Sequence, residues 1–109
     1  MKRMYGRNVF GCWKELPEET CDGLITDEYE DFTKFKNTID KETVIKHIES
    51  LGAAICSVYT HDIFTGEEFN SGFYEDGEFH FPVDFLRYYK TRDIGIPYEY
   101  EEYLKTILK

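Results

Sequence analysis

The clearest hydrophobic pattern in the chain lies between residues 40 and 52, where apolar residues recur three and four positions apart. These residues are Val44, Ile45, Ile48 and Leu51. Because an α-helix turns once in about 3.6 residues, this spacing places them on one helical face. Asp40 is a suitable N-cap, and Gly52 suits the left-handed backbone that ends many helices. The pattern predicts a helix over 41–51.

A nearly uncharged, β-branched segment follows this helix directly. The sequence AAICSVYT at 53–60 predicts a central strand that is buried on at least one face. Two further strand-like segments, 68–74 and 78–81, flank the pair Asp76-Gly77. An Asp-Gly pair supplies the positive φ that a tight turn needs, so we predict a hairpin there.

Two shorter helices are predicted towards the C-terminal end. Apolar residues at 85, 86 and 89 follow Pro82 and predict a helix over 83–91. Pro97 suits the first position of a final helix. The apolar stripe of that helix consists of Tyr100, Tyr103, Leu104, Ile107 and Leu108. Glutamates in its first turns and lysines at its end complement the helix dipole.

The first 38 residues have the least regular pattern. We predict a short strand near Met4 to Trp13 and irregular structure after it. Together the segments predict an α+β fold, with a small antiparallel sheet of three to four strands packed against about three helices. The chain shows no repeat and no linker, so we predict a single domain over residues 1–109.

Composition narrows the classes of partner. There are 22 Asp and Glu residues against 13 Lys and Arg, and the net charge is −9. Such a chain repels a phosphate backbone, which disfavours direct nucleic-acid binding. Aromatic residues make up 17% of the chain, unlike disordered acidic sequences. We expect no membrane-spanning segment and no signal peptide, because no apolar segment is long enough for either.

The cysteines bear on the compartment. Cys12, Cys21 and Cys56 lack CxxC or Cys/His spacing, so we interpret them as free thiols. Cys56 lies in the predicted central strand, where we expect it to be buried. Free thiols are typical of a reducing environment, and we therefore predict a cytoplasmic location.

Motifs that carry chemistry are sparse. The sequence shows no glycine-rich phosphate loop and no metal-ligand spacing, so we predict no cofactor and no metal site, and we assign no catalytic residue. Cys56 and His61 would lie on opposite faces of a strand, which disfavours a nucleophilic pair. The enzyme hypothesis is a site where His61 or His80 acts with a carboxylate. We expect Arg87 and Lys90 to pair with surplus carboxylates rather than to bind an anion.

The most distinctive pattern is the interleaving of acidic residues with Tyr and Phe. The candidate partner-binding carboxylates are Asp27, Glu28, Glu30, Asp31, Glu67, Glu68, Glu75, Asp76, Glu78, Glu99, Glu101 and Glu102. Exposed carboxylates attract a basic partner at long range, and rigid aromatic side chains add contact area after docking. Small acidic α+β proteins that neutralise a basic toxin or nuclease, such as immunity proteins, share this size and charge balance.

The sequence therefore favours a protein-binding module, a stoichiometric inhibitor of a basic toxin or nuclease, over catalysis. Three alternatives stay open. The aromatic residues could all face the core, leaving the acids as a solvated surface. The chain could instead be a small enzyme with a His/carboxylate site, or a structural or regulatory homodimer with an aromatic interface. The sequence leaves the oligomeric state open.

Overall fold

The computed structural model describes residues 2–4, 6–17 and 24–108, which form one five-stranded sheet and four helices. The strands are β1 (Lys2–Met4), β2 (Arg7–Val9), β3 (Ala54–His61), β4 (Glu68–Asp76) and β5 (Phe79–Pro82). The helices are α1 (Tyr29–Phe32), α2 (Lys41–Leu51), α3 (Val83–Thr91) and α4 (Tyr98–Ile107). The predicted α+β class is confirmed.

The strand order in the sheet is β1-β2-β5-β4-β3. Neighbouring strands are antiparallel except β2 and β5, which are parallel. The sheet has five strands rather than three to four, because the predicted N-terminal strand divides into β1 and β2 at Gly6, whose φ is 76°. The hairpin is confirmed, since Asp76 pairs with Phe79 across a turn in which Gly77 has a φ of 60°.

The helices match the hydrophobic pattern closely. Helix α2 spans the predicted residues, and the Asp40 carboxylate accepts a hydrogen bond from the Thr43 amide at 3.0 Å. Helix α3 also has its predicted bounds. Helix α4 begins one residue later than predicted, because Pro97 is its N-cap. The single turn of α1 lies in a region predicted to be irregular.

Aromatic rings fill the main core, which lies between the sheet and the helices. The ring centroid of Phe10 is 4.8 Å from that of Phe81, 5.1 Å from Phe85 and 5.2 Å from Tyr100. All four side chains are at most 1% exposed. A second, smaller cluster contains Val9, Cys12, Leu24 and Phe73. Many of the aromatic residues therefore serve the core, as one of the alternatives expects.

Strand β3 is an edge strand, which corrects the prediction of a buried central strand. It pairs with β4 alone in the described sheet. Ile55 is 62% exposed, Val58 45% and Tyr59 63%. Composition predicts that a segment is extended, but its place in the sheet depends on distant pairing. Here the parallel contact of β2 with β5 leaves β3 at the opposite edge.

The cysteines also differ from the prediction. Cys56 is free as predicted, but its side chain is exposed rather than buried. Cys12 is buried and disulfide-bonded, so its interpretation as a free thiol was wrong. Cys21 lies outside the described residues. Among the described helices, none has the length and apolar character that crossing a bilayer requires.

Candidate protein-binding surface

The predicted carboxylates fall into three classes of exposure. Asp76 and Glu101 are buried, and Asp27 is half-buried. The nine exposed carboxylates are Glu28, Glu30, Asp31, Glu67, Glu68, Glu75, Glu78, Glu99 and Glu102. Only the exposed ones are placed to meet a partner directly.

Asp76 lies at the centre of a buried hydrogen-bond network. The Tyr100 hydroxyl donates to Asp76 Oδ2 at 2.7 Å, and the Tyr103 hydroxyl donates to Oδ1 at 3.3 Å. His47 Nε2 lies 2.8 Å from the same Oδ2 atom. Burial and the nearby carboxylate both raise the pKa of Tyr100, so this hydroxyl keeps its proton and donates it to the bond. Asp76 therefore joins the hairpin to α2 and α4.

Glu101 has a similar internal role. Its Oε2 atom accepts hydrogen bonds from the amides of Thr38 at 2.7 Å and Ile39 at 3.0 Å, and Asn37 Nδ2 donates to Oε1 at 3.1 Å. Burial raises the pKa of Glu101, but these hydrogen bonds outweigh burial and hold it below its ordinary value. Glu101 therefore fixes the segment that leads into α2.

Most of the exposed candidate carboxylates lie near one or the other end of β4. Glu68 begins this strand and Asp76 ends it, and eight residue steps of extended chain span about 26 Å. At the first end, the ring of Phe64 in the β3–β4 turn lies 5.5 Å from the ring of Tyr29 at the start of α1. We call this end the loop-end surface. Its carboxylates are Asp27, Glu28, Glu30, Asp31, Glu67 and Glu68.

A buried carboxylate organises the turn at the loop-end surface. Asp62 is 4% exposed, and its Oδ1 atom accepts the amides of Phe64 at 2.7 Å and Thr65 at 3.0 Å. Arg87 Nε donates to Oδ2 at 2.8 Å, and Arg87 Nη2 donates to Glu67 at 2.9 Å. Burial raises the pKa of Asp62, but these donors outweigh burial and hold it below its ordinary value. The turn is therefore fixed by charge-assisted hydrogen bonds.

Phe64 is an exposed aromatic side chain on this fixed turn. It is 47% exposed, yet its ring also makes edge contacts with Tyr29 and with Tyr88, at centroid distances of 5.5 and 5.6 Å. The guanidinium carbon of Arg92 lies 4.0 Å from the centre of the ring, a cation–π geometry.

Comparisons with protein-family models, curated proteins and solved structures find no match for this chain.

A shallow hollow of about 350 Å³ lies beside the segment that leads into Tyr29 and helix α1. It is lined by Lys14, Ile25, Thr26, Asp27, Glu28 and Asp31. Ile25 is 49% exposed. Asp27 Oδ2 accepts the Gly11 amide at 3.0 Å, and Lys14 Nζ lies 2.9 Å from Glu28 Oε1. The loop-end surface thus has exposed apolar side chains with carboxylates around them, and protein interfaces likewise have an apolar core and a polar rim.

The hairpin-end surface carries three exposed carboxylates, which are Glu75, Glu78 and Glu102. Glu102 belongs to it because the hydroxyl of the adjacent Tyr103 contacts Asp76. Glu99 lies apart, in the first turn of α4, where the Tyr98 ring contacts that of Phe35 at 5.0 Å. Two of the three hairpin-end carboxylates have cationic neighbours. Arg7 Nη2 lies 3.5 Å from Glu75, and Lys105 Nζ lies 3.9 Å from Glu102. The exposed candidate carboxylates other than Glu99 therefore fall into two acidic surfaces.

The pairing expected for Arg87 and Lys90 is confirmed. Arg87 contacts Asp62 and Glu67 as described, and Lys90 Nζ lies 3.0 Å from Glu49 Oε2. Both cations line an open hollow of about 500 Å³ between α2, β4 and α3. Because both are neutralised by carboxylates, we assign no anion to this hollow.

The predicted histidines lie apart. His61 is exposed and faces Glu68 across the β3–β4 ladder. His80 stacks on Phe73 at 4.6 Å, and its Nδ1 atom lies 3.7 Å from Glu75. Burial lowers the pKa of His80, although Glu75 opposes this effect.

Sequence reasoning missed His47, which belongs to the Asp76 network. It lies three residues after Val44 and four before Leu51, on the edge of the apolar stripe of α2. That position was a signal that its side chain would turn inwards. Within the described residues, no group of three or more His, Cys, Asp or Glu side chains is arranged to hold a metal ion.

Proposed function

We propose that this chain is an acidic protein-binding module that inhibits a basic protein, and that a basic toxin or nuclease is the partner class. One observation supports this proposal most. At the loop-end surface, a half-exposed Phe64 on a fixed turn contacts Tyr29 of α1, the helix that also carries the exposed Glu30 and Asp31. Aromatic side chains, Phe among them, are enriched in protein–protein interfaces.

The two kinds of residue have separate physical roles. The carboxylates raise the association rate with a basic partner, and this effect weakens as salt screens the charges. Phe64 supplies apolar contact area, and its fixed turn reduces the ordering entropy lost on docking. Truncating such an anchor raises the dissociation rate and weakens binding by about 2 kcal/mol or more.

The first experiment identifies the partner and measures the salt dependence. The tagged full chain is incubated with host lysate, eluted with stepped salt, and the eluate is identified by mass spectrometry. We expect one basic protein at near-equal stoichiometry. The purified partner should lose its activity when mixed with this chain at a one-to-one ratio. The affinity of the two proteins for each other should fall about tenfold or more between low and physiological salt. Binding that is indifferent to salt would contradict the proposal.

Matched variants then test the surface. Glu30→Lys with Asp31→Lys changes the loop-end surface by four charge units, and Glu78→Lys with Glu102→Lys makes the same change at the hairpin end. We expect the first pair and Phe64→Ala each to weaken inhibition about thirtyfold or more, and the second pair to retain most of it. Equal losses from both pairs would mean that net charge alone matters and that the loop-end surface is not the docking site.

The cytoplasmic location stays a proposal, and the Cys12 disulfide weighs against it, because cytosolic thiols are kept reduced. Titrating thiols in the denatured protein, taken directly from its host under acid quench, would decide. Three thiols per chain would support the cytoplasm, and fewer would indicate an oxidising compartment.

A further inference from the structure

The outer edge of β3 lacks the charged side chains and prolines that commonly protect a sheet edge from pairing with a second strand. Residues 51–61 contain no Asp, Glu, Lys or Arg, although the chain as a whole is rich in charge. Edge strands are commonly protected by charged side chains, prolines or short length. The opposite edge, β1, is only three residues long and includes Lys2 and Arg3, so it has two of these features.

Apolar side chains dominate the exposed part of β3, although His61 at its end is also exposed. Ile55, Val58 and Tyr59 are each between 45% and 63% exposed, and they lie on one strand within five residues of each other. Clusters of exposed apolar residues mark interaction sites more often than isolated ones do. This edge is also distinct from the loop-end surface, because its sequence offers no carboxylate to a basic partner.

We infer that β3 pairs with β3 of a second copy of this chain, antiparallel and around a twofold axis, so that the two sheets become one. Two identical strands in this arrangement present the same edge to each other, as a twofold interface requires. Since no residue of 51–60 is acidic or basic, no like charges oppose each other within this part of the strand pair. A second copy therefore avoids here the repulsion that two chains of charge −9 have elsewhere.

The irregularity within β3 limits where the two copies can pair. The register of β3 against β4 shifts between Ile55 and Tyr59, and a shift of this kind bends a strand. We expect backbone pairing on either side of the bend, with Val58 and Tyr59 packing across the axis. Both flanking parts of β3 retain regular partners on β4.

The contact is small, and this sets the range of concentrations to examine. Eight extended residues span about 26 Å, and a sheet layer is about 10 Å thick. The resulting footprint of about 260 Å² is well below the roughly 800 Å² per partner of a standard interface. We therefore expect a dissociation constant in the micromolar range or weaker.

Sedimentation equilibrium of the full chain tests the inference. The Cys56→Ser variant serves as the reference, because it removes the exposed thiol and excludes an intermolecular disulfide at this edge. Between about 1 µM and 1 mM, we expect its average mass to rise from 13.0 kDa towards twice that value. Tyr59→Lys in this background should weaken self-association at least tenfold. Ile55→Lys is a second variant, and circular dichroism confirms that each is folded.

Phe64→Lys is the matched control, because it also places a lysine at a half-exposed apolar position. It should leave self-association unchanged. A reference protein that stays at 13.0 kDa throughout, growth beyond a dimer, or equal weakening by the control would each overturn the inference. The outcome is independent of the proposed inhibitor function, since the Tyr59→Lys monomer should still bind a basic partner through Phe64.

Discussion

Replacing Asp76 by Asn tests whether one buried carboxylate holds the hairpin to two helices. The substitution keeps the size of the side chain but removes its charge and replaces one acceptor oxygen with an NH₂ group. In the wild type, Oδ2 alone is 2.7 Å from the Tyr100 hydroxyl and 2.8 Å from His47 Nε2. Because Asp76 is only 5% exposed, water does not readily replace a lost partner.

The expected magnitude follows from these contacts. A hydrogen bond to a charged group contributes about 1.5–3 kcal/mol net, so the two short bonds together contribute about 3–6 kcal/mol. An amide oxygen in the same place still accepts one neutral bond. We therefore expect Asp76→Asn to lower the free energy of unfolding by about 2–4 kcal/mol, a large part of the roughly 5–15 kcal/mol of a typical domain.

Urea unfolding monitored by fluorescence measures this loss. The chain has one tryptophan, and Trp13 is 2% exposed within the aromatic core, so its emission reports on unfolding. Tyr103→Phe is the control, because its bond to Asp76 is 3.3 Å long and should contribute about 0.5 kcal/mol or less.

A double-mutant cycle with Tyr100→Phe separates the pair from its surroundings. We expect a coupling energy of about 1–2 kcal/mol between Asp76 and Tyr100. The free energy of unfolding of Asp76→Asn could instead lie within about 0.5 kcal/mol of the wild-type value, which would mean that the desolvation of the carboxylate offsets its hydrogen bonds. The interpretation of Asp76 as the link between hairpin and helices would then be refuted.

Two further predictions concern buried carboxylates. Burial raises the pKa of Asp84 from 3.8 to about 6, so its stabilising effect is complete below pH 3.8 and is lost as the pH rises through 6. The free energy of unfolding of Asp84→Asn should therefore equal that of the wild type near pH 4 but exceed it by about 1–3 kcal/mol above pH 7. Urea unfolding that gives the same difference between variant and wild type at both pH values would contradict this. Burial raises the pKa of Glu101, but hydrogen-bond donors from residues 37–39 outweigh burial and lower it. Glu101 should therefore lose its stabilising effect as the pH falls through its folded-state pKa. Glu101→Gln should cost about 2–3 kcal/mol at pH 7, whereas exposed Glu102→Gln should have little effect in the same assay.

Local patterns made much of the fold predictable. Helix α2 was predicted at its observed bounds because its cap and its apolar stripe lie within thirteen residues of sequence, 40–52. The Asp76-Gly77 hairpin was predictable for the same reason, since a positive φ at Gly77 is a local requirement. In both cases, the decisive interactions join neighbours along the chain.

The sheet order was not predictable, because it depends on distant contacts. The backbone amides of Asn8 in β2 and of Phe10 just after it donate to the carbonyls of Glu78 and His80, and these bonds join residues about seventy positions apart. No pattern within β3 itself indicates that this pairing places it at the edge. The exposure of Ile55 and Tyr59 follows from that placement alone.

The burial of two candidate carboxylates had local signals that the acidic pattern obscured. Asp76 lies two residues after Tyr74 on one strand, and alternate residues of a strand share a face. Glu101 lies three residues before Leu104 on α4, within the apolar stripe. Tyr74 and Leu104 both join the core, so their neighbours on the same face turn inwards as well.

The two acidic surfaces explain why net charge alone does not locate the binding site. They lie at opposite ends of β4, about 26 Å apart, whereas charges are screened over about 8 Å at physiological salt. A basic partner close to one end is therefore attracted mainly by the carboxylates of that end. What distinguishes the ends is Phe64, which the contact with Tyr29 brings to the carboxylates of α1. The loop-end surface thus owes its apolar anchor to a long-range aromatic contact, which neither charge nor sequence proximity could indicate.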